Sequence, residues 1–189
     1  MKKKSISIGY VKHGRPESLS AIRVRPAVGN PSRGWLTAGQ LTIPVALGRG
    51  GIRANKREGD GATPMGSFRP RRLWWRADRH IRPQTALPAR TIHAEDAWCE
   101  DPGDRRYNRP VRLERKRQGD RLKRADHLYD FIIEIDHNTR PRIKGRGSAV
   151  FLHLAPETFG PTAGCVSMTK SAMLQLLRRL RPETRIIIG

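Results

Sequence analysis

Val150-Phe151-Leu152-His153-Leu154-Ala155-Pro156-Glu157-Thr158-Phe159-Gly160-Pro161-Thr162-Ala163-Gly164-Cys165-Val166-Ser167 begins as an apolar run and ends at a glycine-cysteine pair. Residues 150–154 read as a core strand with His153 at its end, and a proline- and glycine-containing loop then leads to Cys165. Beyond the cysteine, Thr169 is placed to cap a helix running to about Leu180. Met173, Leu176, Leu177 and Leu180 recur at helical spacing and predict its buried stripe. Arg178, Arg179 and Arg181 suit the negative end of the helix dipole, Pro182 stops the helix, and Arg185 to Ile188 reads as a closing buried strand.

Upstream the pattern is β throughout. Tyr129 to Asp136 has the most continuous apolar centre in the chain, and His137 to Gly147 is a turn region. Ser5 to Val11 and Ala21 to Val24 are candidate strands. Trp35 to Thr37 and Leu41 to Leu47 flank Ala38-Gly39-Gln40 as a hairpin. Between Arg69 and Arg124 the chain is polar and proline-punctuated, with Trp74, Trp75, Trp98 and Tyr107 interspersed. This is expected to be strand fragments joined by long loops. The fold class is therefore mainly β with one C-terminal helix. The length of 189 residues suits one domain spanning 1–189.

Composition excludes several functions. No apolar run is long enough to cross a bilayer as a helix. Gly48-Arg49-Gly50-Gly51 lacks the closing Gly-Lys-Ser/Thr of a P-loop. Two cysteines, Cys99 and Cys165, make no disulfide framework, and the six histidines are too dispersed for a metal site. Lys and Arg number 38 against 17 Asp and Glu, a net charge of +21. Such a field draws polyanions, but the basic residues are scattered and no helix-turn-helix, zinc-finger or RNA-recognition signature accompanies them. A basic nucleic-acid-binding module is the rival reading; specific nucleic-acid recognition is not expected. Met1-Lys2-Lys3-Lys4 resembles the start of a signal peptide, yet no apolar segment of the needed length follows.

The chemistry centres on Cys165 and His153. A thiol with an ordinary pKa of about 8.5 needs a base or a positive field before it attacks, and an imidazole is a suitable base. The nearby helix N-terminus and the basic surface are expected to favour thiolate. Gly164 permits backbone turns other residues resist, and the N–H groups of Gly164 and Cys165 are candidate oxyanion donors. Cys99 has no such setting and reads as structural.

The segment resembles the catalytic signature of the L,D-transpeptidase (YkuD-type) family, in which a strand histidine and a loop precede Ser/Thr-His-Gly-Cys. The matching residues are His153, Thr162, Ala163, Gly164, Cys165 and Val166. Thr63-Pro64-Met65-Gly66-Ser67-Phe68 resembles the family's Thr-Pro-x-Gly-x-Phe turn, and Gly145 to His153 resembles the approach to its histidine. The resemblance extends from about residue 35 to the C-terminus. Ala163 replaces the usual histidine, and Ser167 stands near a common asparagine. The Thr-Ala-Gly-Cys-Val core, with Asp96-Ala97-Trp98-Cys99 and Tyr107-Asn108-Arg109, is similar to a proteobacterial branch.

The resemblance implies an L,D-transpeptidase-like β-sandwich with long active-site loops, acting on peptidoglycan stem peptides. Cys165 would form a thioester at a diaminopimelate carbonyl, releasing D-alanine, and an acceptor amine would resolve it. His153 would be the base, oriented by a backbone carbonyl, with no metal or organic cofactor. Thr162, Trp98, Tyr107 and Asn108 are the expected substrate contacts. The alternatives on the same site are an L,D-carboxypeptidase or amino-acid exchange. The substrate implies a periplasmic location, although no export signal is visible; oligomeric state is left open.

Overall fold

The computed structural model describes residues 18–113 and 120–189; the expected strand at Ser5 to Val11 lies outside them. The strands are β1 (Ala21–Ala27), β2 (Asn30–Ala38), β3 (Leu41–Ala46), β4 (Ile52–Arg53), β5 (Thr63–Pro64), β6 (Gly66–Phe68) and β7 (Pro70–Trp75). They continue as β8 (Ala89–Thr91), β9 (Asp96–Cys99), β10 (Arg109–Arg112), β11 (Asp120–Arg121), β12 (Phe131–Ile135), β13 (Phe151–Leu154) and β14 (Val166–Met168). Helix α1 (Lys170–Arg179) and β15 (Arg185–Ile188) close the chain.

Ten strands form one sheet in the order β6-β15-β1-β2-β3-β14-β13-β12-β7-β8. Alternation dictates the faces: in β1, Ile22 and Val24 point inward while Arg23 and Arg25 face solvent. The β2–β3 hairpin turns at Gly39, where φ is +63°. Inward residues from both ends of the sheet join Met173, Leu176, Leu177 and Leu180 of the helix in a single apolar cluster. One continuous sheet thus carries this cluster on its helix-side face.

The central strands are covered on their other face as well. All five residues of β12 and all four of β13 are buried. The covering layer includes the three-stranded sheet β10-β9-β11. Trp74, Trp98, Leu122, Ile132 and Phe151 pack there as a second apolar cluster that also holds Cys165. Trp98 meets Phe151 edge-on at 5.0 Å between ring centroids.

The helix is capped as its sequence dictates. Thr169 accepts from the Ala172 N–H at 3.3 Å, and Arg178 and Arg179 occupy the last turn.

Candidate active site

Strands β13 and β14 run parallel, with Leu152 beside Val166 and His153 beside Ser167. Side chains alternate between faces, so Leu152, Leu154, Val166 and Met168 enter the helix-side core. Phe151 and Cys165 lie on the opposite face. His153 shares that face, since its ring meets Tyr129 edge-on at 5.3 Å and Tyr129 packs against the second cluster. The imidazole and the residue that carries the sulfur therefore share a face two positions out of register, with Cys165 just ahead of β14; the thiol bonds the Phe151 and Ala149 backbone, and His153 is not among the residues that line the cavity beside Cys165.

The sulfur is held on both sides. Phe151 N–H donates to Cys165 Sγ at 3.3 Å, and the thiol donates to Ala149 O at 3.2 Å. Residue 165 is 8% exposed, enough to line a cavity of about 570 Å³ with Tyr129, Glu100, Asp120 and Lys56. That volume is typical of a small-molecule or peptide-end site. Both cysteines are free thiols.

Burial dominates the electrostatics. It pushes the Cys165 thiol up to about 12, with Asp120 and Glu100 adding to the rise and the Phe151 N–H and Lys56 opposing it. It pushes His153 down to about 4. The resting pair is a neutral thiol and a neutral imidazole. Both shifts oppose charge separation, so a standing thiolate is not the ground state. The expectation of a thiolate stabilised by the helix is corrected. Helix α1 starts only at Lys170, with the whole of β14 between it and the cysteine.

His153 Nδ1 lies 2.8 Å from Leu154 O. A carbonyl only accepts, so Nδ1 carries a proton, and the Leu128 backbone is a second hydrogen-bond partner of the ring. Leu154 O is thus a backbone carbonyl orienting the imidazole.

The turn before the cysteine explains its glycine. Gly164 has φ +142°, and a Cβ there would lie 2.8 Å from Ala62 O, on the segment leading into the Thr63-Pro64 strand. Thr162 braces the same turn. Its hydroxyl donates to Cys165 O at 2.6 Å and accepts from Gly164 N–H at 3.1 Å. Two expectations change as a result. Thr162 holds the turn and does not line the cavity. Gly164 N–H, expected to be an oxyanion donor, is already engaged with the Thr162 hydroxyl.

Trp98, Tyr107 and Asn108 also differ from their expected role. All three are buried, at 3% exposure each. Trp98 Nε1 donates to Asn108 Oδ1 at 3.0 Å, and Asn108 Nδ2 donates to the carbonyls of His137 and Asn138. Tyr107 donates its hydroxyl to Glu58. They form the wall behind the cavity, and none of the three lines it. Buried polar groups so fully partnered are scaffold. Ala163, Gly164 and Cys165 line the cavity from the motif itself, and beside them stand residues unmarked in the sequence, among them Lys56, Glu58, Glu100, Asp120 and Tyr129. Tyr129 donates to Asp120 at 2.8 Å. Glu100 keeps an exposed edge, yet its carboxyl is lifted to about 7, first by the protein around it and then by Asp120 and Glu58.

The model of the L,D-transpeptidase catalytic domain (YkuD) matches residues 30–188. The chain belongs to this family. No curated relative matches it. Among solved structures, this L,D-transpeptidase-family chain is similar to L,D-transpeptidase 1 of Mycobacterium tuberculosis, with 12% identity and a TM-score of 0.38. It is likewise similar to L,D-transpeptidase 3 of that organism, with 12% identity and a TM-score of 0.40. In each case 89% of this chain and 61% of the other are covered, so the chain spans about three-fifths of those proteins' length. No helix among the described residues is long and apolar enough to cross a membrane.

Proposed function

We propose that this member of the family is a peptidoglycan L,D-transpeptidase of the cell envelope with Cys165 as nucleophile and His153 as base. The supporting observation is the placement of both on one face of adjacent strands, with the sulfur opening onto a cavity. As substrate enters, the thiol proton passes to His153 while sulfur bonds to the diaminopimelate carbonyl carbon. The Cys165 N–H faces the developing oxyanion. Collapse breaks the amide bond, and the proton on His153 leaves with the D-alanine amine. The acceptor amine then attacks the thioester, and the thiol is restored as the cross-link forms.

The neutral resting pair fits this order of events. Proton transfer accompanies attack, so the enzyme does not sustain a free thiolate beside water.

Incubating purified muropeptides with wild-type protein and with Cys165→Ala, then reading products by mass spectrometry, tests the proposal. Cross-linked dimers are expected from the wild type alone. Dimers formed equally by both proteins reject it. Hydrolysed tripeptide without dimers would assign the same thioester to a carboxypeptidase.

A further inference from the structure

The loop Lys56-Arg57-Glu58-Gly59-Asp60-Gly61-Ala62 precedes the Thr-Pro turn, and the reaction above does not use it. At its start lies a buried lysine. Lys56 is only 5% exposed, and its ammonium donates to Arg57 O at 2.7 Å and Asp60 Oδ1 at 2.5 Å. Burying a lysine is costly unless it is paired, and here one of its three N–H donors is left over after both bonds.

The side chain is wedged between the two segments that hold the sulfur. A Cβ on Gly147 would fall 2.9 Å from Lys56 Cγ, two residues before Ala149, whose carbonyl binds the thiol. A Cβ on Gly164 would fall 3.6 Å from Lys56 Cε. Glu58 N–H donates to Gly145 O at 2.8 Å, which fastens the loop to the same segment. Lys56 and Cys165 line one cavity.

The charged surroundings of the sulfur are mixed. Glu58, Glu100 and Asp120 line the cavity together with Tyr129, and His153 stands on the sulfur's own face. Arg49 and Arg124 also reach the cavity; Arg124 is bound to Asp126 at 2.6 Å. Among the charged side chains that act most on the thiol, Asp120 and Glu100 oppose ionisation and Lys56 favours it. Asp60, although paired with Lys56, holds its carboxylate with the Arg57 and Ala62 N–H groups as well.

We propose that Lys56 is a positioning residue of the nucleophile: its ammonium, held by Asp60 in the cavity wall, supports negative charge on the Cys165 sulfur as that charge develops. This deepens the transpeptidase reading, but its test needs no substrate. Iodoacetamide alkylation of Cys165 is followed against pH by peptide mapping in the wild type, Lys56→Met, Lys56→Arg and Asp60→Asn, with folding checked by circular dichroism.

Lys56→Met is expected to slow alkylation about threefold in the neutral range, an upward shift of roughly half a pH unit. Lys56→Arg should restore most of the rate. Asp60→Asn, which removes the counter-charge and leaves the ammonium, should shift the profile the other way. A purely structural role moves Lys56→Met and Asp60→Asn in the same direction, and that result overturns the proposal, as does no shift in either. If Lys56→Met does not fold, Lys56→Arg and Asp60→Asn decide the matter alone. Should the opposite shifts appear while no cross-link forms from muropeptides, the transpeptidase reading fails and the lysine's role stands.

Discussion

His153 is buried as a neutral imidazole, with its ordinary 6.5 pushed down to about 4 by loss of solvent. The unfolded chain therefore binds more protons than the native one between those values, and native stability must fall as pH drops through about 6.5, levelling below about 4. The shift amounts to roughly 3 kcal/mol. Glu100 acts in the opposite sense. Its carboxyl is lifted to about 7, so the native state favours its neutral form and regains stability as pH falls. Comparing urea unfolding at pH 7 and pH 4.5 in wild type and His153→Gln isolates the histidine. The variant is expected to lose less stability in acid, and equal losses would refute the burial argument. The sequence exposed the two residues proposed to react because a strand, a loop and a Gly-Cys pair lie in one short segment. It hid Lys56, Glu100, Asp120 and Tyr129, which come from four separate segments and meet only in the fold. Nor did it show that the polar atoms of Trp98 and Asn108 face each other.

At the scale of elements, period gave the reading wherever one face meets solvent. The alternation of β1 and the stripe of α1 were both visible. The small sheet β10-β9-β11 was not, because its strands are short and β10 and β11 carry arginines and an aspartate with no apolar alternation. Strand β9 owes its burial to the layer beneath it. The helix offers a clean test of local logic. Its Thr169 cap satisfies one otherwise orphaned N–H, and Thr169→Ala is expected to cost about 1 kcal/mol. For a chain of this length that lowers the melting temperature by roughly 2–4 °C, measurable by calorimetry. An unchanged midpoint would mean that Ser171, 3.2 Å from the Thr169 hydroxyl, takes over the cap.

Over the whole molecule, the +21 charge is spread but not uniform. Arg69, Arg71, Arg72 and Arg140 gather around a second hollow of about 410 Å³, and burial together with Arg109, Arg71 and Arg140 pushes the nearby Arg142 down. Glu134 offsets part of this through Arg71 and Arg72, each at 3.1 Å. The protein should therefore adsorb to polyanions without reading their sequence. Fluorescence anisotropy with duplex DNA is expected to show weak binding that collapses between 50 and about 200 mM salt. Tight, sequence-selective binding that persists at the higher salt would contradict the absence of a recognition element.

Because β13 and β14 are adjacent parallel strands about 4.8 Å apart, the backbone positions of His153 and Cys165, two residues out of register, are set by the ladder and not by the chain that links them. The intervening residues 156–161 are held away from the ladder, where Arg33 donates to Thr158 O at 3.3 Å and lies over the Phe159 ring. That stretch lies outside the cavity lining, so its length and composition can change while the two strands keep their register. Loop sequence and strand register are in this way free to evolve apart.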